Sequence, residues 1–392
     1  MEFEKIKLKD FATITMGQSP KSEFYNNEGN GLPFLQGVRT FGEIYPTIDT
    51  YTIKGNKIAE KGDILFTVRA PVGDINIAPE KLCIGRGLAA IKSEDQEFLY
   101  YLLKNNKQMY QNYSTGTIYN SINKTELENL EFKIPDYLTR KRISKILRDI
   151  DKKVKTNNKI IENLESQAQA IFKSWFVDFE PFQDGNFVES ELGLIPEGWE
   201  VVRFGDLFKF QKGKKPKNFL DYNVEESIPY IVKGVIDGSE RPSYTLDEKI
   251  IKIEDMDIFM LMDGANAGNI YYGYNGALGS TFSFLNIDDL EYREFIYWFL
   301  RTNEDYIRNQ NTGSAIPHAN KDFINNIRFA LPKNISKLSI LNYFKVIRTK
   351  VITLKQENQT LAQTRDTLLP KLMRGEIDVS NIKIDDEDID YE

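Results

Sequence analysis

The apolar residues between Leu138 and Phe176 recur at alternating steps of four and three, the heptad spacing of a helix that packs along one seam. The seam positions are Leu147, Ile150, Val154, Asn157, Ile161, Leu164, Ala168, Ile171 and Trp175. Neither Gly nor Pro occurs between Leu138 and Pro181, so nothing breaks the helix. At the ~1.5 Å rise per residue of an α-helix, this helix would be roughly 58 Å long.

A second heptad seam follows near the C-terminus, about 197 residues after the first. Its positions are Phe344, Ile347, Val351, Leu354, Asn358, Leu361, Arg365 and Leu368. Each seam holds one Asn, Asn157 or Asn358, where an apolar residue is expected. Because a polar seam residue can fix the register of two helices at some cost in stability, we expect one or both to be buried between the helices.

The segments that precede the two helices also repeat in the same order. The matched segments are 7–10 with 203–206, 17–20 with 213–216, 32–35 with 228–231, 63–65 with 257–259, 115–116 with 312–313, 123–124 with 320–321 and 134–135 with 331–332. The offset stays between 194 and 197 residues. Matches in one order, ending each time in a long helix, indicate a tandem duplication. The halves differ most in their loops, for example 69–73 against 263–268, which favours one task performed on two different targets.

The pattern of short Ile-, Thr- and Tyr-rich runs between turn signals predicts short strands, and residues 97–110 predict a short helix. The fold class is therefore α+β, with two similar mixed α/β globular domains and two long helices. The predicted order is a first domain at 1–137, a long helix at 138–180, a linker at 181–197, a second domain at 198–335, a long helix at 336–377 and an acidic disordered tail at 378–392.

Composition narrows the class of protein. A chain of 392 residues is long enough for two or three domains, and its apolar runs are shorter than the ~18–20 residues that span a bilayer. The first five residues do not form a basic region followed by an apolar one, so we expect no signal peptide. The lone Cys83 suits a reducing, cytoplasmic environment, and one Cys with one His excludes the usual zinc sites.

The net charge of −7 is concentrated at the C-terminus. Residues 378–392 contain seven acidic side chains and one Lys, so they carry −6 of that charge. The rest of the chain is almost neutral, and basic clusters can still form on one of its faces.

Sequence signatures of catalysis are missing. The chain has neither a GxxxxGK[ST] phosphate loop, nor a GxGxxG after a strand, nor an Asn-Pro-Pro-Tyr motif for amino methylation. His318 has no evident Ser or Cys partner, so it is either a loop histidine or a contact to DNA or a partner. The pattern favours a binding protein over an enzyme, and we expect it to hold neither a metal nor a cofactor.

Three strings resemble the specificity subunits of type I restriction–modification systems. Residues 194–201 (LIPEGWEV) are similar to the entry into the second target recognition domain of that family. Residues 170–182 (AIFKSWFVDFEPF) resemble the end of its central helix, and residues 368–377 (LLPKLMRGEI) resemble its C-terminal end. Together with the duplication, this resemblance covers nearly the whole chain.

The resemblance implies that each globular half is a target recognition domain for one part of a split double-stranded DNA sequence. The two long helices would pack antiparallel as a coiled-coil spacer. The subunit itself would do no chemistry. It would bind two modification subunits, which use S-adenosylmethionine to methylate adenine N6, and restriction subunits, which use ATP.

DNA binding requires Lys or Arg for phosphates and fixed donors or acceptors for base edges. The candidate contacts lie in loops or next to Gly: Arg39, Arg69, Arg86, Thr115, Asn123, Lys124, Lys214, Lys215, Lys233, Arg241, His318, Asn320 and Lys321. Asn123 and Asn320 either pair with adenine or cap the short helices that follow them. Each basic residue can also be a solvated surface charge.

Two other classes of function remain open. The chain could be a scaffold that binds other proteins through its duplicated domains, or a nuclease or methyltransferase with an unrecognised site. Salt-dependent binding to duplex DNA would separate the first alternative from a DNA-binding subunit. Methyl transfer by the purified chain alone would support the second.

Overall fold

The computed structural model describes residues 3–111, 121–287, 289–313 and 316–384, and the chain divides into two compact units. Unit 1 consists of Met1–Val154 together with Thr360–Glu392, and unit 2 consists of Lys155–Gln359. The two ends of the chain therefore belong to the same unit, and the middle of the chain forms the other.

Unit 1 begins with short strands and short helices and then enters the first long helix. Its elements are β1 Phe3–Lys7, α1 Leu8–Phe11, β2 Thr13–Met16, β3 Tyr25–Asn26, β4 Leu32–Leu35, β5 Tyr51–Thr52, β6 Ile58–Ala59, β7 Ile64–Thr67, β8 Ile75–Ile77, β9 Leu82–Ile84, β10 Leu88–Lys92, α2 Gln96–Asn105, α3 Lys107–Gln111, α4 Lys124–Glu128, β11 Glu131–Pro135 and the long helix α5 Tyr137–Phe176. The strands pair in the orders β2-β10-β7-β8, β3-β5-β4-β9-β6 and β1-β11.

The rest of the chain repeats this order after an additional hairpin. The elements are β12 Phe187–Ser190, β13 Gly193–Pro196, β14 Trp199–Arg203, α6 Phe204–Leu207, β15 Lys209–Lys212, β16 Ile228–Ile231, α7 Lys233–Ile236, β17 Tyr244–Thr245, β18 Lys252–Ile253, β19 Phe259–Leu261, β20 Ile270–Tyr271, β21 Gly276–Leu278, β22 Phe282–Asn286, α8 Arg293–Thr302, α9 Glu304–Arg308, α10 Lys321–Asn326, β23 Arg328–Pro332 and the long helix α11 Ile340–Met373. The strands pair in the orders β15-β22-β19-β20, β17-β16-β21-β18 and β14-β23, with the hairpin β12-β13 apart.

Apart from strand β3, which extends one sheet of unit 1 only, the two units share their strand order and their pairing direction, so the predicted duplication and the α+β class are confirmed. Strands β4 and β9 of unit 1 are parallel, and so are the equivalent strands β16 and β21 of unit 2. Both units contain the same close approach of two backbone segments, and this explains why a glycine is repeated there. A Cβ atom on Gly17 would lie 2.1 Å from the carbonyl oxygen of Gly85, and one on Gly213 would lie 2.2 Å from that of Gly279.

Each unit contains one part of each long helix. In unit 1, Ile143 and Leu147 of α5 share a buried core with Leu369 and Leu372 of α11. Each fully buried side chain of this size contributes about 1.5–3 kcal/mol. The apolar seam is therefore the surface through which the helices join the globular core.

Unit 2 has the same arrangement with the other ends of the helices, because Phe172 of α5 shares its core with Phe344 and Val351 of α11. The pairing within unit 2 is antiparallel. Asn157 Nδ2 donates a hydrogen bond to Asn358 Oδ1 at 2.9 Å. Glu165, which is further along α5, has its Oε1 3.8 Å from Nζ of Lys355, which is earlier along α11.

The predicted seam positions are all buried or partly buried. Asn157 is fully buried, and its amide nitrogen donates to Glu357 and to Asn358, each at 2.9 Å, so the predicted burial of Asn157 is confirmed. Asn358 is half-buried and donates to Asn158 at 2.7 Å. Their role as a spacer stays a prediction.

The ends of the helices have local causes. After α5, which stops four residues before the predicted boundary of 180, Phe179 adopts a left-handed conformation with φ 54°. After α11, Gly375 has φ 72° and its N–H donates to the carbonyl of Leu372 at 3.1 Å. A left-handed glycine at this position ends a helix because it lets the chain satisfy the last carbonyls.

The structure differs from the predicted disordered tail over residues 378–384. Val379 is 2% exposed within the core of unit 1, and Arg142 Nε donates to the carbonyl of Ile382 at 3.2 Å. The apolar residues between the acids therefore hold this part in place. The remaining tail residues, 385–392, lie outside the described residues.

Candidate nucleic-acid interface

Five short segments of unit 1 lie side by side at one edge and are joined by backbone hydrogen bonds. The bonds run from Gln18 N–H to Ile84 O (2.9 Å), Gly85 N–H to Leu35 O (2.8 Å), Gly87 N–H to Gln36 O (3.2 Å), Val68 N–H to Gly87 O (2.9 Å) and Ile122 N–H to Val68 O (3.0 Å). Residues far apart in sequence thereby become neighbours. We call this row of segments the unit 1 edge.

The unit 1 edge carries most of the DNA-contact candidates from the first half of the chain. Arg69, Arg86, Asn123 and Lys124 lie on its segments, and Arg39 follows three residues after Gln36. All five are exposed to solvent. The remaining candidate, Thr115, lies outside the described residues.

Three of these side chains already have partners in the protein. The guanidinium nitrogens of Arg39 lie 2.7 and 2.8 Å from carboxylate oxygens of Asp49, and the hydrogen bond from Arg39 lowers the pKa of Asp49. The ammonium nitrogen of Lys124 lies 3.5 Å from a carboxylate oxygen of Glu128. The cap interpretation is confirmed for Asn123, whose Oδ1 accepts the N–H of Glu126 at 3.0 Å.

Unit 2 builds an equivalent edge with counterparts of four of these five backbone bonds. Lys214 N–H donates to Leu278 O (3.1 Å), Gly279 N–H to Ile231 O (2.9 Å), Met262 N–H to Thr281 O (2.8 Å) and Ala319 N–H to Met262 O (2.9 Å). This unit 2 edge carries Lys214, Lys215, Lys233, His318, Asn320 and Lys321. The sequence candidates of the second half therefore converge as those of the first half do.

The cations of the unit 2 edge differ in how they are held. Lys214 and Lys321 are exposed, and the ammonium of Lys215 lies 5.8 Å from the ring centre of Phe219. Lys233 forms an ion pair with Asp237, and this hydrogen bond raises the pKa of Lys233.

The other two candidates lie at the borders of this edge. Asn320 caps α10 by accepting the N–H of Phe323 at 3.0 Å, so the cap interpretation is confirmed here too. Arg241 is exposed beside α7, where the N–H of its neighbour Glu240 donates to the carbonyl of Gly234 at 3.0 Å.

One equivalent position shows how far the chemistry of the edges has diverged. Unit 1 places Arg69 opposite Ser121, whereas unit 2 places Asp263 opposite His318. His318 Nδ1 lies 2.8 Å from a carboxylate oxygen of Asp263. Sequence reasoning missed Asp263, an acidic side chain among mostly basic and amide candidates, although its offset from Arg69 would have indicated it.

The unit 1 edge also contains a cleft of about 590 Å³. Arg39 and Arg86 line it together with Tyr25 and Gln36. Sequence reasoning missed Gln36, whose only signal is its place directly after the apolar run 32–35. Burial is the largest cause of the raised pKa of Tyr25, and the charge of Arg86 opposes it.

The residues that the structure describes contain no group of three or more His, Cys, Asp or Glu side chains arranged to hold a metal ion. None of their helices is long and apolar enough to cross a membrane.

Comparisons with known proteins show which proteins the chain resembles. A relative from Methanocaldococcus jannaschii, named provisionally as the specificity subunit of type I restriction enzyme MjaX, is 43% identical over 43% of this chain and 41% of its own length. The MjaIX specificity subunit from the same organism is 27% identical over 96% of this chain and 94% of its own length. The MjaVIII specificity subunit is 31% identical over 49% of this chain and 45% of its own length.

A solved structure shares the fold. The crystal structure of a type I restriction–modification system S subunit from M. genitalium matches with a TM-score of 0.57 at 19% identity, covering 95% of this chain and 96% of that one. The model of the type I restriction modification DNA specificity domain matches residues 1–166 and 196–363, once in each half. The chain belongs to the family of type I restriction modification DNA specificity domain proteins.

Proposed function

We propose that this chain reads a split double-stranded DNA target, one half-site with each globular domain, as the specificity subunit of a type I restriction–modification enzyme. The domains would be residues 1–137 and 198–335. The observation that carries the proposal is the pair of equivalent edges, which share four backbone hydrogen bonds and differ in their side chains. A common frame with different side chains is what two readers of different sequences require.

The chemistry of the edges suits DNA. Exposed Arg69 and Arg86 in unit 1 and Lys214, Lys215 and Lys321 in unit 2 can neutralise phosphates or donate to base edges. The Arg39 and Lys233 side chains are held by acidic residues, so a phosphate would have to compete with a carboxylate there. The oxygens of Asn123 and Asn320 cap helices, whereas their amide nitrogens have no acceptor among the described residues and could donate to a base.

We propose that the chemical steps belong to partner subunits. Two modification subunits would methylate adenine N6 with S-adenosylmethionine, and restriction subunits would use ATP. The chain itself would determine which DNA sequence is modified and would provide the surface on which the partner subunits dock. Helices α5 and α11 would act as the spacer between the half-sites, with seam residues such as Leu147, Ile161 and Ile347 holding them together.

Methylation sequencing tests the proposal. DNA modified by this chain with its modification subunit should carry one split motif. Exchange of residues 198–335 for the same segment of another family member should change one half of the motif, because each domain reads its own half-site. A change in both halves, or in neither, would refute the modular reading.

Salt dependence separates this function from that of a protein scaffold. Binding of the purified complex to duplex DNA should weaken steeply between low and high salt, since each neutralised phosphate releases a counterion. Lys321→Ala should weaken binding and leave the half-site read by unit 1 unchanged. A complex that binds other proteins but shows no salt-dependent DNA binding would be a scaffold.

A further inference from the structure

The cleft in the unit 1 edge lies at the carboxyl ends of two parallel strands. Strands β4 and β9 pair with Phe34 opposite Cys83 and Leu35 opposite Ile84. Gln36 is the first residue after β4, and Arg86 is the second residue after β9. Because parallel strands end at the same edge of their sheet, these two side chains emerge next to each other.

Both residues are fixed by the segment that precedes them in the chain. The Ser19 hydroxyl accepts the backbone N–H of Arg86 at 3.2 Å and donates to Gln36 Oε1 at 2.9 Å. The glycines beside Arg86 let the two strand ends approach closely. A Cβ atom on Gly85 would lie 2.8 Å from Gln36 Oε1, and one on Gly87 would lie 2.5 Å from the Gln36 carbonyl oxygen.

The charges of the cleft leave one cation uncompensated. Arg39 is neutralised by Asp49, whereas the described part of the chain gives Arg86 no ion-pair partner. The Gln36 amide nitrogen likewise has no acceptor among the described residues, and its oxygen retains a second lone pair. The cleft therefore offers an unpaired guanidinium fork beside a fixed amide.

This pair of groups matches the edge of a base better than a phosphate. A phosphate is favoured by several unpaired cations, and a carboxylate has already neutralised one of the two here. A guanidinium fork donates two hydrogen bonds to guanine O6 and N7, which is the most common specific contact in the major groove. Resting on the function proposed above, we propose that Arg86 reads a guanine in the half-site of unit 1 and that Gln36 positions this contact.

Unit 2 supplies an internal comparison. Its equivalent strands β16 and β21 are followed by Val232 and by Gly279-Ser280, so the same frame carries neither a cation nor an amide at these two places. Gly279 N–H bonds to Ile231 O just as Gly85 N–H bonds to Leu35 O. The guanine contact is therefore a property of unit 1 alone, and Ser at the position of Arg86 is compatible with the fold.

The test is methylation of a randomised target library by the chain together with its modification subunit. Arg86→Ser should relax one guanine position in one half of the motif, reducing discrimination there by about 5- to 150-fold, the range of one bidentate base contact. Arg86→Lys should relax the same position, because an ammonium keeps the charge but loses the planar fork. Lys61→Ser, which removes an exposed charge from a turn outside the cleft, should leave the motif unchanged.

The possible outcomes are distinct. If Arg86→Ser weakens methylation of all targets alike and Arg86→Lys restores it, Arg86 contacts a phosphate and the inference is overturned. Relaxation in both half-sites, or at a base pair without guanine, would also overturn it. If the wild-type complex methylates DNA without any split motif, the proposed function itself fails, and that result is seen before any variant is made.

Discussion

Arg348 of helix α11 is fully buried in unit 2, and its removal should be severely destabilising. Its guanidinium lies 3.0 Å from Glu294, donates to the carbonyl of Met256 at 2.9 Å and stacks on Tyr272 and Tyr297 at 4.8 and 4.4 Å from their ring centres. Arg348→Met would fill a similar volume but leave the Glu294 carboxylate, which is 8% exposed, with only the more distant Arg293, whose Nε lies 3.8 Å from Glu294 Oε1.

The magnitude follows from the burial of that carboxylate. Breaking a buried ion pair by removing one partner costs about 3–5 kcal/mol, because the remaining charge is uncompensated. For a unit of this size, 1 kcal/mol shifts the melting temperature by about 2–4 °C, so Arg348→Met should lower it by about 6–20 °C.

The double replacement Glu294→Leu with Arg348→Met should be much less harmful. Glu294 Oε2 and Arg348 Nε are buried with no hydrogen-bond partner in the described part of the chain, so the native pair is itself imperfectly satisfied. Replacing both charges removes these atoms together. We expect the double variant to lie within about 1–2 kcal/mol of the wild type, since apolar substitutes for buried ion pairs are often neutral.

Tryptophan fluorescence makes the measurement specific to unit 2. The three tryptophans of the chain, Trp175, Trp199 and Trp298, all belong to that unit, and Trp298 lies 5.7 Å from Phe344 of α11. Urea unfolding followed by fluorescence therefore reports the free energy of unfolding of unit 2. Lys350→Met, an exposed change on the same helix, is the control and should shift it by less than about 0.5 kcal/mol.

Two results would refute this reasoning. If Arg348→Met cost no more than the Lys350→Met control, solvent or Arg293 would be sufficient to compensate the Glu294 charge despite its burial. If the double variant were as unstable as Arg348→Met, the loss would come from the contacts of Arg348 with Met256 and the tyrosine rings and not from the stranded carboxylate.

Three further predictions concern the helices and the shared frame. Asn157→Leu should raise the melting temperature, because Asn157 Oδ1 is buried without a partner in the described part of the chain; a fall would mean that its bond to Glu357 dominates. Gly213→Ala should lower the unfolding free energy by about 1–3 kcal/mol in the fluorescence assay, since its Cβ would lie 2.2 Å from Gly279 O. Four residues inserted after Asn157 and four after Leu354, ~6 Å of rise each, should lengthen the preferred DNA spacer by one or two base pairs at ~3.4 Å per step, as read by methylation of a spacer library; an unchanged spacer in a folded variant would refute the spacer role.

The sequence alone determined the repeated architecture. Heptad spacing depends only on which residues are apolar, so the seams through Leu147 and Phe344 were visible without coordinates, and their burial follows from the need to cover an apolar stripe. The repeated glycines were also evident from the sequence. Gly17 and Gly213 occupy equivalent positions, at which two backbone segments approach each other closely in each copy. Even the burial of Asn157 followed from its position in the seam.

The tertiary structure decided which residues become neighbours and which of their charged groups remain unpaired. Gln36, Arg69, Arg86 and Ile122 become neighbours only through backbone hydrogen bonds between segments that are distant in sequence, and no local pattern encodes such pairing. The same holds for the free or neutralised state of a cation: Arg39 and Arg86 look alike in sequence, yet Asp49 neutralises only Arg39. Hydrophobic periodicity is a local property of the chain, whereas the pairing of charges depends on distances of a few ångströms that only the folded chain fixes.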